Sequence, residues 1–314
     1  MPLFFDILII VLPVFLVIGL GFGLKMARLV DGSFLYQLNR LVYFLALPAL
    51  LFYEIARADF SATFNGMLLA GMLAAILLTF FLAYGFAAWR GYPPDARGSF
   101  CQGAFRGNIA YIGLAIVFNA YGSDGLAAAG ILLGFLVPVY NFFGILALLL
   151  PHRQQGQQFS PWFWIRQVGG NPLILSSFAG ILWSFLNLPL PQVIERSLDI
   201  VADMALPLAL LSIGGSFSLQ RLRGDISKSM IATAIKLVWL PLITAGILIV
   251  LGIGGRELAI GVIFAGTPTA AAAYIMAQQM RGDANLSGSI IMLSTLLSLI
   301  TYTVALLLLE GLRL

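Results

Sequence analysis

The segment AFRGNIAYIGLAI, residues 104–116, decides how this sequence is interpreted. It is apolar enough to lie within a lipid bilayer, yet Arg106, Gly107 and Asn108 interrupt it. A charged side chain in the middle of a bilayer costs about 3 kcal/mol on insertion scales. That cost is tolerated where the side chain faces a cavity or a ligand, or where it reaches the polar edge of the bilayer. The segment is therefore the first candidate for a functional site.

The composition of the whole chain is that of a protein that crosses a membrane several times. Of its 314 residues, 61% are hydrophobic and 10% are charged, whereas an ordinary soluble domain has about 25% charged residues. Lys and Arg number 17 and Asp and Glu number 13, without a basic cluster or a nucleic-acid recognition motif. We interpret the excess of positive charge as a topology signal, and we predict no nucleic-acid partner.

The single cysteine and the single histidine exclude two kinds of structural site. Cys101 has no second cysteine with which to form an internal disulfide, and together with His152 it cannot complete a zinc site. We predict no metal and no other cofactor. The N-terminal run MPLFFDILIIVLPVF has neither a basic n-region nor a small-residue cleavage site. It is typical of a first transmembrane helix rather than of a removed signal peptide.

Ten segments are predicted to cross the bilayer, since a crossing helix needs about 20 apolar residues. They are residues 3–24, 33–55, 64–88, 99–121, 127–150, 171–188, 193–217, 228–251, 257–280 and 285–311. The most polar loop, PHRQQGQQFSP at 151–161, lies between the fifth and sixth segments. We therefore predict a first five-helix unit at 1–150, a cytoplasmic linker at 151–170 and a second five-helix unit at 171–314.

Basic residues are distributed unequally between the two ends of these segments. Loops taken alternately from the first contain Lys25, Arg28, Arg90, Arg97, Arg153, Arg166, Arg221, Arg223, Lys228 and Arg281. The other loops contain only Arg57, Arg196, Arg256 and Arg313. Because cytoplasmic loops accumulate Lys and Arg, the first set is predicted to face the cytoplasm. Both termini then lie on the extracytoplasmic side of the cytoplasmic (inner) membrane.

The two halves of the chain align when the sequence is shifted by 159 residues. The shift superimposes Pro13 on Pro172, Gly21 on Gly180, residues 46–48 on 205–207, Gly107 on Gly266 and Asp124 on Asp283. The pair LALPALL (45–51) and MALPLALL (204–211) is the strongest match. Because five is an odd number, two five-helix units must have opposite orientations. This pattern is typical of the inverted repeats of secondary transporters.

The same shift places residues 105–116 on residues 264–275, within FAGTPTAAAAYIM (264–276), where Gly266, Thr267, Pro268 and Thr269 interrupt the ninth segment. Proline removes a backbone donor, and unwound backbone at membrane depth is tolerated only in a cavity or in protein. Corresponding breaks in both halves indicate the binding site of a transporter. Residues 106–109 and 266–269 are therefore predicted to meet near the middle of the membrane.

The order of motifs resembles the auxin efflux carrier family. The segments that match are RGNIAYIGLAI (106–116), AYGSDG (120–125), NPLI (171–174), ALPLALLSIGG (205–215) and STLLS (294–298). The resemblance covers essentially the whole chain, although the long central cytoplasmic loop of the plant members is missing. It implies ten helices in two inverted repeats of five, with helices 4 and 9 broken and crossing, and a fold related to bile-acid sodium symporters. It further implies a scaffold of helices 1, 2, 6 and 7, able to form a homodimer, and a moving transport domain of helices 3–5 and 8–10.

Eight residues are the candidate substrate-binding residues: Arg106, Gly107, Asn108, Asn141, Gly266, Thr267, Pro268 and Thr269. The Arg106 guanidinium presents a planar donor fork to a carboxylate, and alternatively it caps the broken helix or snorkels. An amide such as that of Asn108 satisfies either a ligand or a freed carbonyl. The threonine hydroxyls bind a ligand or bond back to their own helix.

Other polar residues favour less specific roles. Asp199 and Asp203 share a helix face but lack the partner motif of an intramembrane protease or a prenyltransferase, so an outward vestibule or ion pairing is favoured. Arg40 and Lys236 lie about eight residues inside cytoplasmic helix ends and are predicted to snorkel. His152 is predicted to be solvated.

The sequence thus predicts an all-α membrane carrier, not an enzyme, that moves a small mono- or dicarboxylate-like organic anion by alternating access of the elevator type. The half-helix N-termini at the breaks would attract the carboxylate. The expected partners are the organic anion, the lipid bilayer and a second copy of the chain. A channel or a non-transporting membrane receptor with the same broken helices is the alternative.

Overall fold

The structure is a computed structural model that describes residues 2–155, 170–216 and 225–311. The elements of the first half are α1 (Pro2–Met26), α2 (Gly32–Leu41), α3 (Leu47–Arg57), α4 (Phe60–Thr63), α5 (Gly66–Trp89), α6 (Pro94–Phe105) and α7 (Leu114–Leu149). Those of the second half are α8 (Pro172–Phe185), α9 (Gln192–Asp203), α10 (Ala205–Gly215), α11 (Ile226–Ala234), α12 (Leu240–Val250), α13 (Gly255–Ala265), α14 (Ala272–Gln279) and α15 (Ala284–Gly311). The predicted all-α fold class is confirmed for this part of the chain.

Short turns of other helical types join several of these elements. They are the π-helical turns Val42–Ala46, Ile109–Gly113 and Ile235–Trp239, and the 3-10 turn Leu150–Gln155. Residues 156–169, which make up most of the predicted linker 151–170, lie outside the described residues, as do Arg221, Arg223 and Arg313.

Seven helical stretches of the described residues are long and apolar enough to cross a membrane. They are Ile7–Met26, Gly32–Arg57, Gly66–Trp89, Ile109–His152, Gln192–Gly215, Ile226–Val250 and Ala284–Leu309. These are three fewer than the ten predicted segments. Ile109–His152 joins the end of segment 99–121 to segment 127–150, the helix Pro172–Phe185 in segment 171–188 is shorter, and the helices of segment 257–280 stop part-way through it. The chain is a multi-pass membrane protein, and the number ten stays a prediction.

One of these stretches contains a sharp kink where the sequence predicted a loop. Helix α7 has 36 residues and would be about 54 Å long if it were straight, far more than the roughly 30 Å of hydrocarbon. Gly122 breaks it with φ 60° and ψ −155°, a conformation that only glycine adopts without strain. The motif AYGSDG therefore divides α7 into two helical arms.

Proline explains two of the three π-helical turns. Pro48 and Pro241 stand at the second position of α3 and α12, directly after the turns Val42–Ala46 and Ile235–Trp239. A proline ring clashes with the carbonyl four residues earlier and donates no hydrogen bond. The wider π-helical turn lets the helix continue past the ring.

Glycines allow two pairs of helices to pack with their backbones in contact. Helix α1 packs against α10, and α3 packs against α8. A Cβ atom on Gly21 would overlap the carbonyl of Leu211, and a Cβ atom on Gly180 would lie 3.2 Å from the carbonyl oxygen of Phe52. Small residues at helix contacts are the usual means of close packing in membranes, where the hydrophobic effect does not hold helices together.

We expect Gly21→Ala to destabilise the protein by about 1–3 kcal/mol, the usual cost of overpacking. The added methyl group meets backbone of α10, which cannot move aside as a flexible side chain can. Gly19→Ala is the matched control, because a Cβ atom there meets nothing within 4 Å. Thermal unfolding in mild detergent measures both variants. Equal melting temperatures for the two would contradict this packing.

Candidate functional site

The two interrupted helices meet and pair through their backbones. Helix α6 ends at Phe105 and α13 ends at Ala265. Beyond these ends, the N–H of Asn108 donates to the carbonyl of Pro268 at 2.8 Å, and the N–H of Ala270 donates to the carbonyl of Arg106 at 3.1 Å. Gly107 and Thr269 form the antiparallel bridge between these bonds. We call residues 106–109 and 266–270 the crossing, and the predicted meeting of the two breaks is confirmed.

Threonine hydroxyls satisfy carbonyl groups at the C-terminal ends of the two half-helices. Thr269 Oγ1 donates to the carbonyl of Gly103 in α6 at 2.7 Å, and Thr267 Oγ1 donates to that of Phe264 in α13 at 2.8 Å. The N–H of Thr269 donates to Ser294 Oγ on α15 at 3.0 Å. Both threonine side chains are fully buried. Their hydroxyls therefore bind protein carbonyls.

Arg106 is a buried cation held by neutral acceptors. The residue is 7% exposed. Its Nη2 donates to Oδ1 of Asn141 at 2.7 Å, and its Nη1 donates to the carbonyl of Tyr140 at 3.2 Å and to Sδ of Met276 at 3.0 Å. No carboxylate of the described residues forms an ion pair with it. A guanidinium buried without a counter-charge is costly. Snorkelling of Arg106 is excluded by this geometry.

A cavity of about 940 Å³ opens beside the crossing, at the upper end of the usual range for ligand pockets. Four of the predicted site residues line it: Arg106, Gly107, Asn108 and Asn141. Three further basic side chains, Arg40, His152 and Arg281, also line it, and the described lining contains no Asp or Glu. The cavity therefore has a positive potential. His152, predicted to be solvated, is half-buried in this wall, and its Nε2 has no hydrogen-bond partner among the described residues.

Neutral donors accompany these cations. The side chain of Asn108 forms no hydrogen bond with any described residue, and neither does the NH₂ group of Asn141, whose Oδ1 faces Arg106. Backbone N–H groups at the starts of the second half-helices are likewise unpaired within the described chain: those of Ile109, Ala110, Tyr111, Ala271 and Ala272. All five residues line the cavity. Unpaired N–H groups at a helix N-terminus bind anions well.

The remaining predicted residues lie away from this cavity. Gly266, Thr267 and Pro268 are buried within the crossing and do not line it. Pro268 contributes its carbonyl to Asn108. Thr269 lines a second, smaller cavity of about 60 Å³, together with Asn39, Asn108 and Ser212. The second break thus contributes to the large cavity through Ala270, Ala271 and Ala272 instead.

Two residues that support the site were not identified from the sequence. Gly144 leaves room for Arg106, because a Cβ atom there would lie 2.7 Å from its Nη1. Gln102 packs at the same point, and its Nε2 donates to Sδ of Met276 at 3.3 Å. Gly144 follows Asn141 by three residues, so a search for small residues one turn from a candidate ligand would have found it.

The prediction that Lys236 snorkels is wrong. The residue is completely buried, and its Nζ donates to the carbonyl of Ala265, the last residue of α13. The π-helical turn Ile235–Trp239 carries this lysine. A carbonyl freed at the C-terminal end of a broken helix provides an acceptor inside the protein, so the ammonium group does not need to reach water.

Comparison with known proteins identifies the family of this chain. The family model described as "Membrane transport protein" matches residues 6–161 and 157–306. The chain belongs to this family. The relatives of this chain include plant auxin efflux carriers. Auxin efflux carrier component 6 of Arabidopsis thaliana is 26% identical over 140 residues, which is 43% of this chain and 25% of the plant protein.

Two prokaryotic relatives match this chain over nearly their whole length. An "Uncharacterized transporter" of Methanothermobacter thermautotrophicus is 28% identical over 300 residues, covering 93% of this chain and 94% of the relative. The "Putative malonate transporter" of Rhizobium meliloti is 29% identical over 311 residues, covering 94% and 93%. The chain is thus a membrane transporter, and its relatives carry transporter names rather than enzyme names.

We expect Thr269→Val to destabilise the protein by about 1–3 kcal/mol, because it leaves the Gly103 carbonyl buried without a donor. Thr303→Val is the matched control. The hydroxyl of Thr303 donates to the Leu299 carbonyl within an intact helix, where the backbone N–H four residues on also bonds that carbonyl. Thermal unfolding of both variants tests this. A larger loss for Thr303→Val would contradict the proposed contribution of Thr269 to the crossing.

Proposed function

We propose that this protein is a secondary transporter that carries a small organic anion across the cytoplasmic membrane by alternating access of the elevator type. The observation that carries the proposal is the buried Arg106 guanidinium, which faces a positive cavity and has no carboxylate partner among the described residues. The unpaired N–H groups of residues 109–111 and 271–272 lie in the same wall. A carboxylate placed there would satisfy both kinds of donor.

The substrate that we propose is a dicarboxylate of the size of malonate. Several basic groups and no acidic group of the described residues line the cavity, which favours a dianion over a monoanion. Arg106 would hold one carboxylate, since its fork matches the two carboxylate oxygens, with Asn108 and Asn141 as neutral donors. A full-length relative carries the name of a malonate transporter, which supports the same class of substrate.

The proposed architecture is two inverted five-helix repeats, 1–150 and 171–314, with broken crossing helices. Two contacts support it: Gly21 meets Leu211 where α1 packs against α10, and Gly180 meets Phe52 where α8 packs against α3. The shift of 159 residues places Gly21 on Gly180 and Phe52 on Leu211, so it converts one contact into the other. A two-fold relation between the repeats would produce such an exchange. These helices would form the scaffold, which we also propose as the surface of a homodimer.

The orientation that we propose places the cavity on the cytoplasmic side. Arg40, His152 and Arg281 line its wall and lie near the helix ends predicted to be cytoplasmic by their basic loops. Both termini would then be extracytoplasmic, and the described conformation would face inward. Backbone pairing at the crossing would close the end of such a cavity that lies deep in the membrane, which supports a carrier over a channel.

Uptake of labelled malonate into proteoliposomes loaded with unlabelled malonate tests this function. A carrier gives saturable exchange, because each transport cycle requires a bound substrate. Linear, non-saturable flux would indicate a channel instead. Malonate binding without any flux would indicate a receptor, and the absence of both binding and flux for malonate and other dicarboxylates would contradict the proposal.

We expect Arg106→Gln to weaken malonate binding by about 1.5–3 kcal/mol, the range of a hydrogen bond to a charged group. Arg106→Lys should recover only part of this loss, because an ammonium group cannot reproduce the planar fork. The control Arg90→Gln removes the same charge from an exposed position outside the cavity. Isothermal titration and melting temperatures measure all three variants. Unchanged affinity in folded Arg106→Gln would refute the role of Arg106.

We expect Gly144→Ala to weaken malonate binding without removing any charge. The new methyl group would displace the guanidinium of Arg106, while the flexible end of that side chain limits the cost to the fold. Gly85→Ala is the control, since a Cβ atom there meets nothing within 4 Å. Binding that is unaffected by Gly144→Ala would show that the precise position of the guanidinium does not matter.

A further inference from the structure

A second buried basic residue lies behind the crossing. Lys236 is 0% exposed, and Thr267 beside it is equally buried. The Nζ atom donates to the carbonyl of Ala265, and a Cβ atom on Gly107 would lie 3.3 Å from it. Gly107 lines the large cavity and Lys236 does not. The backbone of Gly107 therefore separates the ammonium group from the proposed substrate.

No acidic residue of the described chain forms an ion pair with Lys236. The C-terminal end of α13 has a partial negative charge that favours a nearby cation. This partial charge amounts to about half of an elementary charge. With Lys236 protonated, excess positive charge remains at the crossing, next to that of Arg106. A single carboxylate neutralises only part of this total.

We propose that Lys236 is protonated in the folded protein and determines the substrate charge that the site prefers, favouring divalent over monovalent carboxylates. This inference rests on the proposed function, and it assigns a specificity role to a residue that does not touch the substrate. Arg106 holds one carboxylate directly. The field of Lys236, acting through the thin wall formed by Gly107, adds attraction for the second negative charge.

The physical basis is that a buried charge acts over several ångströms with little screening. Water and salt ions are excluded from its surroundings, so its attraction for an anion falls slowly with distance. The basic residues Arg40 and Arg281 are exposed, and salt screens them. Discrimination that comes from Lys236 therefore differs from discrimination at the cavity mouth, because it persists at high ionic strength.

The test compares malonate with malonamate, the half-amide of nearly the same size with one negative charge fewer. Titration calorimetry on full-length wild type, Lys236→Gln, Lys236→Met and the exposed control Arg90→Gln gives the ratio of the two affinities. Lys236→Gln keeps a donor for the Ala265 carbonyl while it removes the charge. We expect both Lys236 variants to lose about ten-fold of the malonate preference, and Arg90→Gln to keep it.

Each other outcome has a definite meaning. If Lys236→Gln retains the wild-type ratio and Lys236→Met alone loses affinity for both ligands, Lys236 is only a structural donor and the inference is overturned. If wild type binds neither malonate nor other dicarboxylates, the proposed function fails and the inference fails with it. Malonate binding with an unchanged ratio in both variants overturns the inference alone.

A measurement on the wild-type protein still tests the inference if the variants do not fold. The ratio of malonate to malonamate affinity is compared at low and at high ionic strength. We expect the preference for malonate to remain within about two-fold, because the buried ammonium is not screened. A preference that disappears at high salt would assign the discrimination to the exposed arginines and overturn the inference.

Discussion

The structure depends on two backbone hydrogen bonds, from Asn108 to Pro268 and from Ala270 to Arg106. Hydrocarbon offers no partner to a freed N–H or carbonyl group, so one broken helix within a membrane is costly. Two breaks that cross satisfy each other. Each half of the chain supplies one break, and the two halves therefore cannot form the site independently. The site also includes four half-helix ends, which two unbroken helices would not provide.

These four ends have opposite electrostatic character, and the protein treats them differently. Side chains bind the carbonyls at the C-terminal ends: Thr269 donates to Gly103, and Lys236 donates to Ala265. The N-terminal ends, at Ile109 and Ala271, keep unpaired N–H groups in the cavity wall. The protein thus satisfies its own negative ends, and the positive ends have no partner among the described residues. This asymmetry supports the proposal that the site binds an anion.

The sequence predicted the breaks because unwound backbone at membrane depth is tolerated only where it lines a cavity or is buried in protein. Glycine, proline and polar residues within an apolar run therefore indicate such a place. The sequence also predicted Asn141, which contacts Arg106. It left two roles open for the threonine hydroxyls, and Thr267 takes the second by bonding back to Phe264 of its own helix. It did not predict that Thr269 donates to the other broken helix, since that contact depends on how the breaks cross. It predicts snorkelling for Lys236 because the acceptor of Lys236, the Ala265 carbonyl, is freed only by the break. Tertiary contacts between distant segments decide the cases of Thr269 and Lys236.

The most direct test of the account is an experimental structure of the protein with malonate bound. The account predicts malonate density in the cavity beside the crossing, with one carboxylate within hydrogen-bonding distance of the Arg106 guanidinium. It further predicts contacts to N–H groups of residues 109–111 or 271–272. Malonate bound elsewhere, with the Arg106 guanidinium still held only by Asn141, Tyr140 and Met276, would contradict the account.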